Sequence, residues 1–147
     1  KAVRFAEEDV RPMGREARGV RGMMLDPAQS VISMLVAKGE EQSVLTATEN
    51  GFGKRTAIAE YTRHGRGTKG MIAIQASDRN GKLIGAVLVS DSDELMLIST
   101  GGVLIRTLVQ DIREMGRSTQ GVTLINLDDG TKLAGMEKII ETDEEQE

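Results

Sequence analysis

Arg55-Thr56, Glu60-Tyr61 and Gly65-Arg66-Gly67-Thr68-Lys69-Gly70 form the stretch that decides the fold, because its frame occurs three times. Fifty-one positions earlier it reads Arg4-Phe5, Asp9-Val10, Gly14-Arg15, Gly19. Fifty-one positions later it reads Arg106-Thr107, Asp111-Ile112, Gly116-Arg117, Gly121. Two arginines, an acidic residue and two glycines keep register across all three copies without a gap. A fixed period of this length is the sequence mark of a repeat architecture.

The rest of the chain assigns the repeat to strands. Ser43–Thr48 is rich in Val and Thr, Asn50-Gly51 is a hairpin turn signal that calls for positive φ at both central residues, and 52–57 returns as the partner strand. The third copy repeats the arrangement with Gly101-Gly102 between 95–99 and 103–108. Asn80-Gly81 and Asp129-Gly130 mark further turns, each leading into an apolar Leu-x-Gly strand. Lys1–Phe5 reads as a short strand, a second strand follows Gly19, and the apolar run Val31–Ala37 reads as a buried strand. The best-defined period holds four strands: 83–89, 95–99, 103–108 and 122–127. Gly is too frequent for long helices. Four short strands per period of this size predict an all-β, propeller-like chain of about three four-stranded blades.

With 147 residues the chain is expected to form one domain. There is no cysteine, hence no disulfide framework and no thiolate metal site, and no run of 18 apolar residues, so a cytoplasmic, non-membrane protein is expected. Lys1 stands inside what the repeat marks as a strand, which implies a piece of something longer. Phe5, Phe52 and Tyr61 are the whole aromatic supply, too few for a base-stacking platform, and eight methionines serve as core filler.

The net charge is −4, but six acidic residues and one lysine lie from Glu137 onward. Residues 1–136 therefore hold 18 basic and 17 acidic side chains. Fourteen of the 19 basic residues lie in the repeated stretch, and clustering matters more to a polyanion than the total. The charge run 141–147 is expected to be disordered.

Several motifs carry chemistry only in outline. Gly65–Gly70 spells G-x-G-x-x-G, yet the strand-like Met71-Ile72-Ala73-Ile74 follows it where a dinucleotide site needs a helix. Gly67 is also the glycine that does not repeat, being Glu16 and Ser118 in the sister copies. Asp91-Ser92-Asp93-Glu94 offers three carboxylates but reads as a solvated turn. His64 is the sole histidine, so no histidine cluster or triad can form, and Tyr61 aligns with Val10 and Ile112 as a packing residue.

The arginines remain. Arg15, Arg66 and Arg117 each follow a repeated glycine, where a turn is expected to project them outward. Arg18 and Lys69 share a position, as do Arg11 and Arg113. Two readings stand: a basic stripe along a curved rim that holds phosphates, or solvated charges partly paired with Asp9, Glu60 and Asp111.

These motifs resemble the C-terminal domain family of bacterial DNA gyrase A subunits. The resemblance rests on Val3-Arg4-Phe5, Arg18-Gly19-Val20-Arg21-Gly22, Thr46–Gly51, Gly53-Lys54-Arg55-Thr56 and Glu60-Tyr61. Arg79-Asn80-Gly81, Val103–Thr107 and Gly116–Val122 extend it over essentially the whole chain. It implies a six-bladed β-pinwheel whose neighbouring blades exchange strands, with residues 1–140 as the last three blades and thus an incomplete ring. It implies duplex DNA bent around a basic outer rim, with Arg11, Arg15, Arg18, Arg21, Arg55, Arg63, Arg66, Lys69, Arg113 and Arg117 as DNA-binding candidates. The expected partners are double-stranded DNA and, in a heterotetramer, the gyrase B subunit with the rest of the gyrase A subunit. No cofactor is expected in this piece, the ATP and Mg of the holoenzyme being bound elsewhere, and no catalytic residue. The first-blade box Gln-Arg-Arg-Gly-Gly-Lys-Gly has no match here, and Tyr61 does not inherit the tyrosine role of the breakage-reunion domain. The C-terminal domain of the topoisomerase IV counterpart and a propeller-type protein-interaction scaffold are the alternatives. The acidic end is either a solubilising tail or a competitor of DNA for the rim.

Overall fold

The computed structural model describes residues 1–140, so the expected disorder of 141–147 lies outside the described residues. Seven strands are present among them: β1 (Ser43–Thr48), β2 (Phe52–Ala57), β3 (Leu83–Val89), β4 (Glu94–Ser99), β5 (Leu104–Leu108), β6 (Val122–Thr123) and β7 (Leu133–Ile139). They form one sheet in the order β3-β1-β2-β6 and another in the order β5-β4-β7, all pairs antiparallel. The four strands of one sequence period do not share a sheet. β3 closes the sheet of the hairpin before it, and β6 crosses to cover the outer edge of β2 one repeat back. The chain is thus an incomplete pinwheel with strands exchanged between units.

The hairpins form where expected, with a different turn. Among the central residues only Gly51 and Gly102 have positive φ, +88° and +81°. Gly51 N–H donates to Thr48 O and Gly102 N–H to Ser99 O, both at 3.1 Å. Each loop is therefore a three-residue turn closed by a left-handed glycine, rather than a two-residue turn that needs two such residues.

Alternation along β4 drives Leu95 and Leu97 inward, where they meet Leu45, Val89, Val109 and Leu133 in the core. β1 is buried along its whole length because it lies between β3 and β2. Its other face packs Val44 against Ile58, Tyr61 and Ala73. Short 3-10 turns at Glu7–Asp9, Ile58–Glu60 and Val109–Asp111 recur at the repeat period. Each is followed by the repeat's apolar position, and Tyr61 and Ile112 are buried there while Val10 stays exposed.

The first copy is held by single bridges rather than a hairpin. Ala2 bridges Met71 and Arg4 bridges Arg63, the counterparts of Gly53–Val122 and of the Arg55–Glu114 bridge one period on. The run Val31–Ala37 is not a buried strand: no ladder forms there, and Val31, Met34 and Val36 are 60%, 86% and 68% exposed. β3 pairs with a strand that begins 40 residues before it, and β7 with one that begins 39 before it. At that offset from 31–37 no described strand is present, so the segment has no edge to pair with.

The stretch after each basic turn, 14–19, 65–70 and 116–121, ends on a glycine with φ of +83°, +82° and +80°. The two later stretches are straps laid on the strand of the preceding repeat. Met24 N–H to Thr68 O (2.8 Å) and Gln75 N–H to Thr119 O (3.0 Å) are the same bond one period apart. A Cβ on Gly70 would strike the carbonyl oxygen of Ala2, and one on Gly121 that of Gly53.

Gly121→Ala is expected to lose about 2 kcal/mol or more, from the left-handed backbone together with the collision. Gly130→Ala, at φ +78° with nothing within 4 Å, carries only the backbone cost of about 1 kcal/mol. Tyr61→Phe removes a buried hydroxyl that has no hydrogen-bond partner, and should leave stability unchanged or raise it by up to about 1 kcal/mol. Urea melts of the three variants check these values.

Candidate nucleic-acid interface

The cations of the repeat divide into an inward and an outward set. Arg4 sends Nη1 to the carbonyls of Ile58 and Tyr61, both at 3.0 Å, and Nη2 to Glu40 at 2.5 Å. That hydrogen bond holds the Glu40 carboxyl below its ordinary range. One period on, Arg55 Nε donates to Ile112 O at 2.6 Å and Nη1 pairs with Asp91. Ile112 corresponds to Tyr61, and Asp91 to Glu40. The arginine is a clamp that ties its own repeat to the 3-10 turn and the acidic turn of the next one. The side chain of Arg55 is only 11% exposed. It is thus an interior tie, although the repeat pattern groups it with the rim.

Lys54 is a second inward cation. Fully buried, it donates from Nζ to Gly116 O (2.7 Å), Arg117 O and Thr119 O (2.9 Å), closing the strap of the next repeat. Its sister positions are Val3 and Ile105, so a lysine at an apolar position of the repeat was the available signal. Asn80, also buried, donates to Gln120 O at 2.7 Å. Arg79 donates to Gly121 O at 3.1 Å while lying 4.3 Å over the Phe52 ring. The sequence pattern places both only in a turn. The carbonyls they serve belong to a different repeat, which no local pattern displays.

Arg66 and Arg117 are expected to project outward, and the structure turns them partly back. Each is half-buried. Arg66 Nη1 donates to Arg21 O at 3.0 Å and Arg117 Nη1 to Ile72 O at 2.8 Å, a matched pair of latches one period apart. Arg66 Nε also reaches Asp9 O at 2.9 Å.

The outward set is Arg11, Arg15, Arg18, Arg21, Arg63, Lys69 and Arg113, all exposed. Gly67 N–H donates to Gly22 O at 2.7 Å, and Met23 bridges Thr68. The segment that carries Arg18 and Arg21 therefore runs beside the strap that carries Lys69. Lys69 lies 3.5 Å from Asp26. Arg11 and Arg66 share a shallow hollow of about 350 Å³ with Glu8, Asp9 and Val20. Guanidinium groups along successive straps can bind phosphates without reading bases.

The other motifs resolve into structure. Asp91 pairs with Arg55, Asp93 with Lys138 at 3.4 Å and Glu94 with Arg106, so the acidic turn is a set of ion pairs. Among the described residues no group of three His, Cys, Asp or Glu is arranged to hold a metal. The glycine-rich loop is a strap that opens no helix. No helix of the described residues is long and apolar enough to cross a membrane.

Comparison with known proteins gives a family model, described as DNA gyrase C-terminal domain, beta-propeller, matching residues 1–38, 42–90 and 93–139. The chain is 52% identical over 141 residues to the DNA gyrase A protein of Pseudomonas aeruginosa, covering 96% of this chain and 15% of that one. It is 45% identical over 147 residues to the DNA gyrase A protein of Escherichia coli K12, covering 100% and 17%. The chain thus spans about a sixth of the length of these curated relatives. A solved DNA gyrase A C-terminal domain superposes with a TM-score of 0.84 at 29% identity, over 92% of this chain and 46% of that one. The C-terminal domain of a DNA topoisomerase IV gives 0.85 at 25% identity, over 92% and 42%.

Burial pushes the Lys54 ammonium down to about 8 from an ordinary 10.5, and the Tyr61 phenol up to about 12 from 10.0. Above pH 8 the folded chain has released a Lys54 proton that the unfolded chain still holds, so stability should rise with pH. From pH 10 to 12 the folded chain keeps the Tyr61 proton that the unfolded chain has lost, and stability should fall. In urea melts across pH, Lys54→Met should flatten the first limb and Tyr61→Phe the second.

Proposed function

The chain belongs to the DNA gyrase C-terminal β-propeller family, and from that membership we propose that it binds and wraps duplex DNA around its outer rim. The observation that carries this reading is the separation of the cations. The clamps (Arg4, Arg55, Lys54) are used within the fold, while Arg11, Arg15, Arg18, Arg21, Arg63, Lys69 and Arg113 remain on the outside of successive repeats. Residues 1–140 act as part of one pinwheel domain without catalytic chemistry of its own. Its partners are duplex DNA and, in the heterotetramer, gyrase B subunits with the remainder of a gyrase A chain, whose ATP and Mg sites lie elsewhere, in the cytoplasm. Wrapping would serve ATP-dependent negative supercoiling.

Mechanically, the rim supplies phosphate contacts spaced by the repeat, and the angle between successive sheets imposes the bend. Smoothly bending a 20–30 bp site by 40–90° costs on the order of 1–6 kcal/mol, so several phosphate contacts are needed to offset it. Arg66 and Arg117 contribute in a double capacity, because each keeps its strap in place through a carbonyl and leaves part of its surface to solvent. A topoisomerase IV C-terminal domain has an equally good structural match, so the fold does not separate the two; the identities of 45% and 52% to gyrase A proteins favour gyrase.

In a salt titration of duplex binding, log affinity should fall linearly with log salt, at about −0.9 per phosphate neutralised. Arg18→Ala or Arg113→Ala should shallow that slope by about one unit with little sequence dependence. Arg55→Ala should act through stability instead. A flat salt response would overturn the DNA-wrapping reading.

A further inference from the structure

Two straps of the same sequence type are held in different ways. Gly65-Arg66 and Gly116-Arg117 open equivalent stretches, yet the two arginines do not make equivalent sets of bonds. Arg66 is latched twice, through Nε to Asp9 O at 2.9 Å and through Nη1 to Arg21 O at 3.0 Å. Arg117 keeps the second latch, Nη1 to Ile72 O at 2.8 Å. Among the described residues its Nε and Nη2 make no hydrogen bond, although Glu60 stands at the position equivalent to Asp9. Nε and Nη2 are the side-on edge of a guanidinium, the fork that meets two oxygens of one phosphate at once.

Lys54 supplies what the missing latch does not. Its ammonium has three donors, and it meets the carbonyls of Gly116 (2.7 Å), Arg117 and Thr119 (2.9 Å), with Thr119 Oγ1 at 3.3 Å. Thr119 Oγ1 itself donates to Gly116 O at 2.9 Å. The backbone on both sides of Arg117 is thus held through its own carbonyls, without a second bond from the arginine side chain. Against the preceding strap the place of Lys54 is taken by Val3, whose Cγ2 lies 2.9 Å from where a Cβ on Gly70 would be. Valine has no donor to offer, and there Arg66 holds the strap with Nε as well as Nη1. Burial lowers the Lys54 pKa to about 8, so at pH 7 the ammonium is charged, with Glu60 and Arg117 as its charged neighbours. Repulsion between the two cations disfavours a further inward bond by Arg117.

We propose that Lys54 is a positioning residue for duplex binding: it holds the strap of Gly116–Thr119 and so leaves the Nε–Nη2 edge of Arg117 to grip a DNA phosphate bidentately. The assignment rests on the duplex-binding reading above and divides the two latched arginines by role. Arg117 is a two-pronged phosphate ligand, whereas Arg66, with Nε committed to Asp9 O, adds charge without the fork. A buried cation that never reaches the rim therefore decides how one rim arginine is used.

Duplex binding by this chain at pH 7 tests the assignment through a double-mutant cycle. Arg117→Ala should weaken binding roughly tenfold and shallow the salt slope by about one unit. Lys54→Met should fold, as circular dichroism checks, because Val3 and Ile105 fill the same repeat position with apolar side chains. In the Lys54→Met background Arg117→Ala should cost only about threefold or less, while Arg18→Ala, on another strap, should cost the same in both backgrounds. A second comparison needs no change at Lys54. Arg117→Lys keeps the charge and the salt slope but loses the fork, and should weaken binding about threefold or more, against less than about twofold for Arg66→Lys. Equal losses for Arg117→Ala in both backgrounds, or equal sensitivity of Arg66 and Arg117 to lysine, would overturn the assignment while salt-dependent duplex binding stands. A flat salt response of the parent chain would instead remove the duplex-binding reading, and this assignment with it.

Discussion

Each of the two later straps has to lie so close to the strand of the preceding repeat that there is no room for a Cβ at the point of contact. That constraint explains the glycine at 70 and 121, its left-handed φ, and the period at which it recurs. It also leaves backbone carbonyls without ladder partners, since a strap that pairs over two or three residues cannot form a full ladder. Lys54, Arg79 and Asn80 satisfy the carbonyls of 116–121, and Arg66 and Arg117 reach back to those of the repeat before. The units are held together through this polar joint and through the apolar cluster that runs between the two sheets.

The same constraint divides the positive charge. Guanidinium groups with 11% and 18% of their side-chain surface left to water, at Arg55 and Arg4, are tolerable only because carbonyls and a carboxylate surround them. Their charge is already matched within the fold and is not open to a polyanion. The exposed arginines carry none of that structural duty, so they can exchange water and counterions for phosphates at little cost to the fold. A body that is near neutral in total can therefore present a basic track. The burial that lowers the Lys54 pKa is the other face of this division: it sits in the joint, away from the rim.

Much of this was legible from residues. The 51-residue period, both hairpins and the all-β class follow from Gly, Asn-Gly and Val-rich patterning, whose causes are local, while the pinwheel is what the motif resemblance implies. The turn type differs from expectation because Asn50-Gly51 is compatible with two loops, and the register of the strands selects between them. The buried strand expected at 31–37 failed for a different reason. Apolar composition states that a segment needs a partner, and says nothing of whether one is within reach.

The sequence by itself determined the repeat, the strand chemistry, the glycines that permit left-handed turns and the family. Those are properties of single residues and their spacing. Only the tertiary structure decided which arginines face inward. Arg55 and Arg66 occur in the same glycine-rich stretch and look alike as letters, yet one closes a clamp with Ile112 and Asp91 and the other latches a strap beside the rim. Their partners lie 36 to 57 residues away, where strand exchange brings one repeat onto another, and the direction of a side chain follows from what that neighbour leaves unpaired.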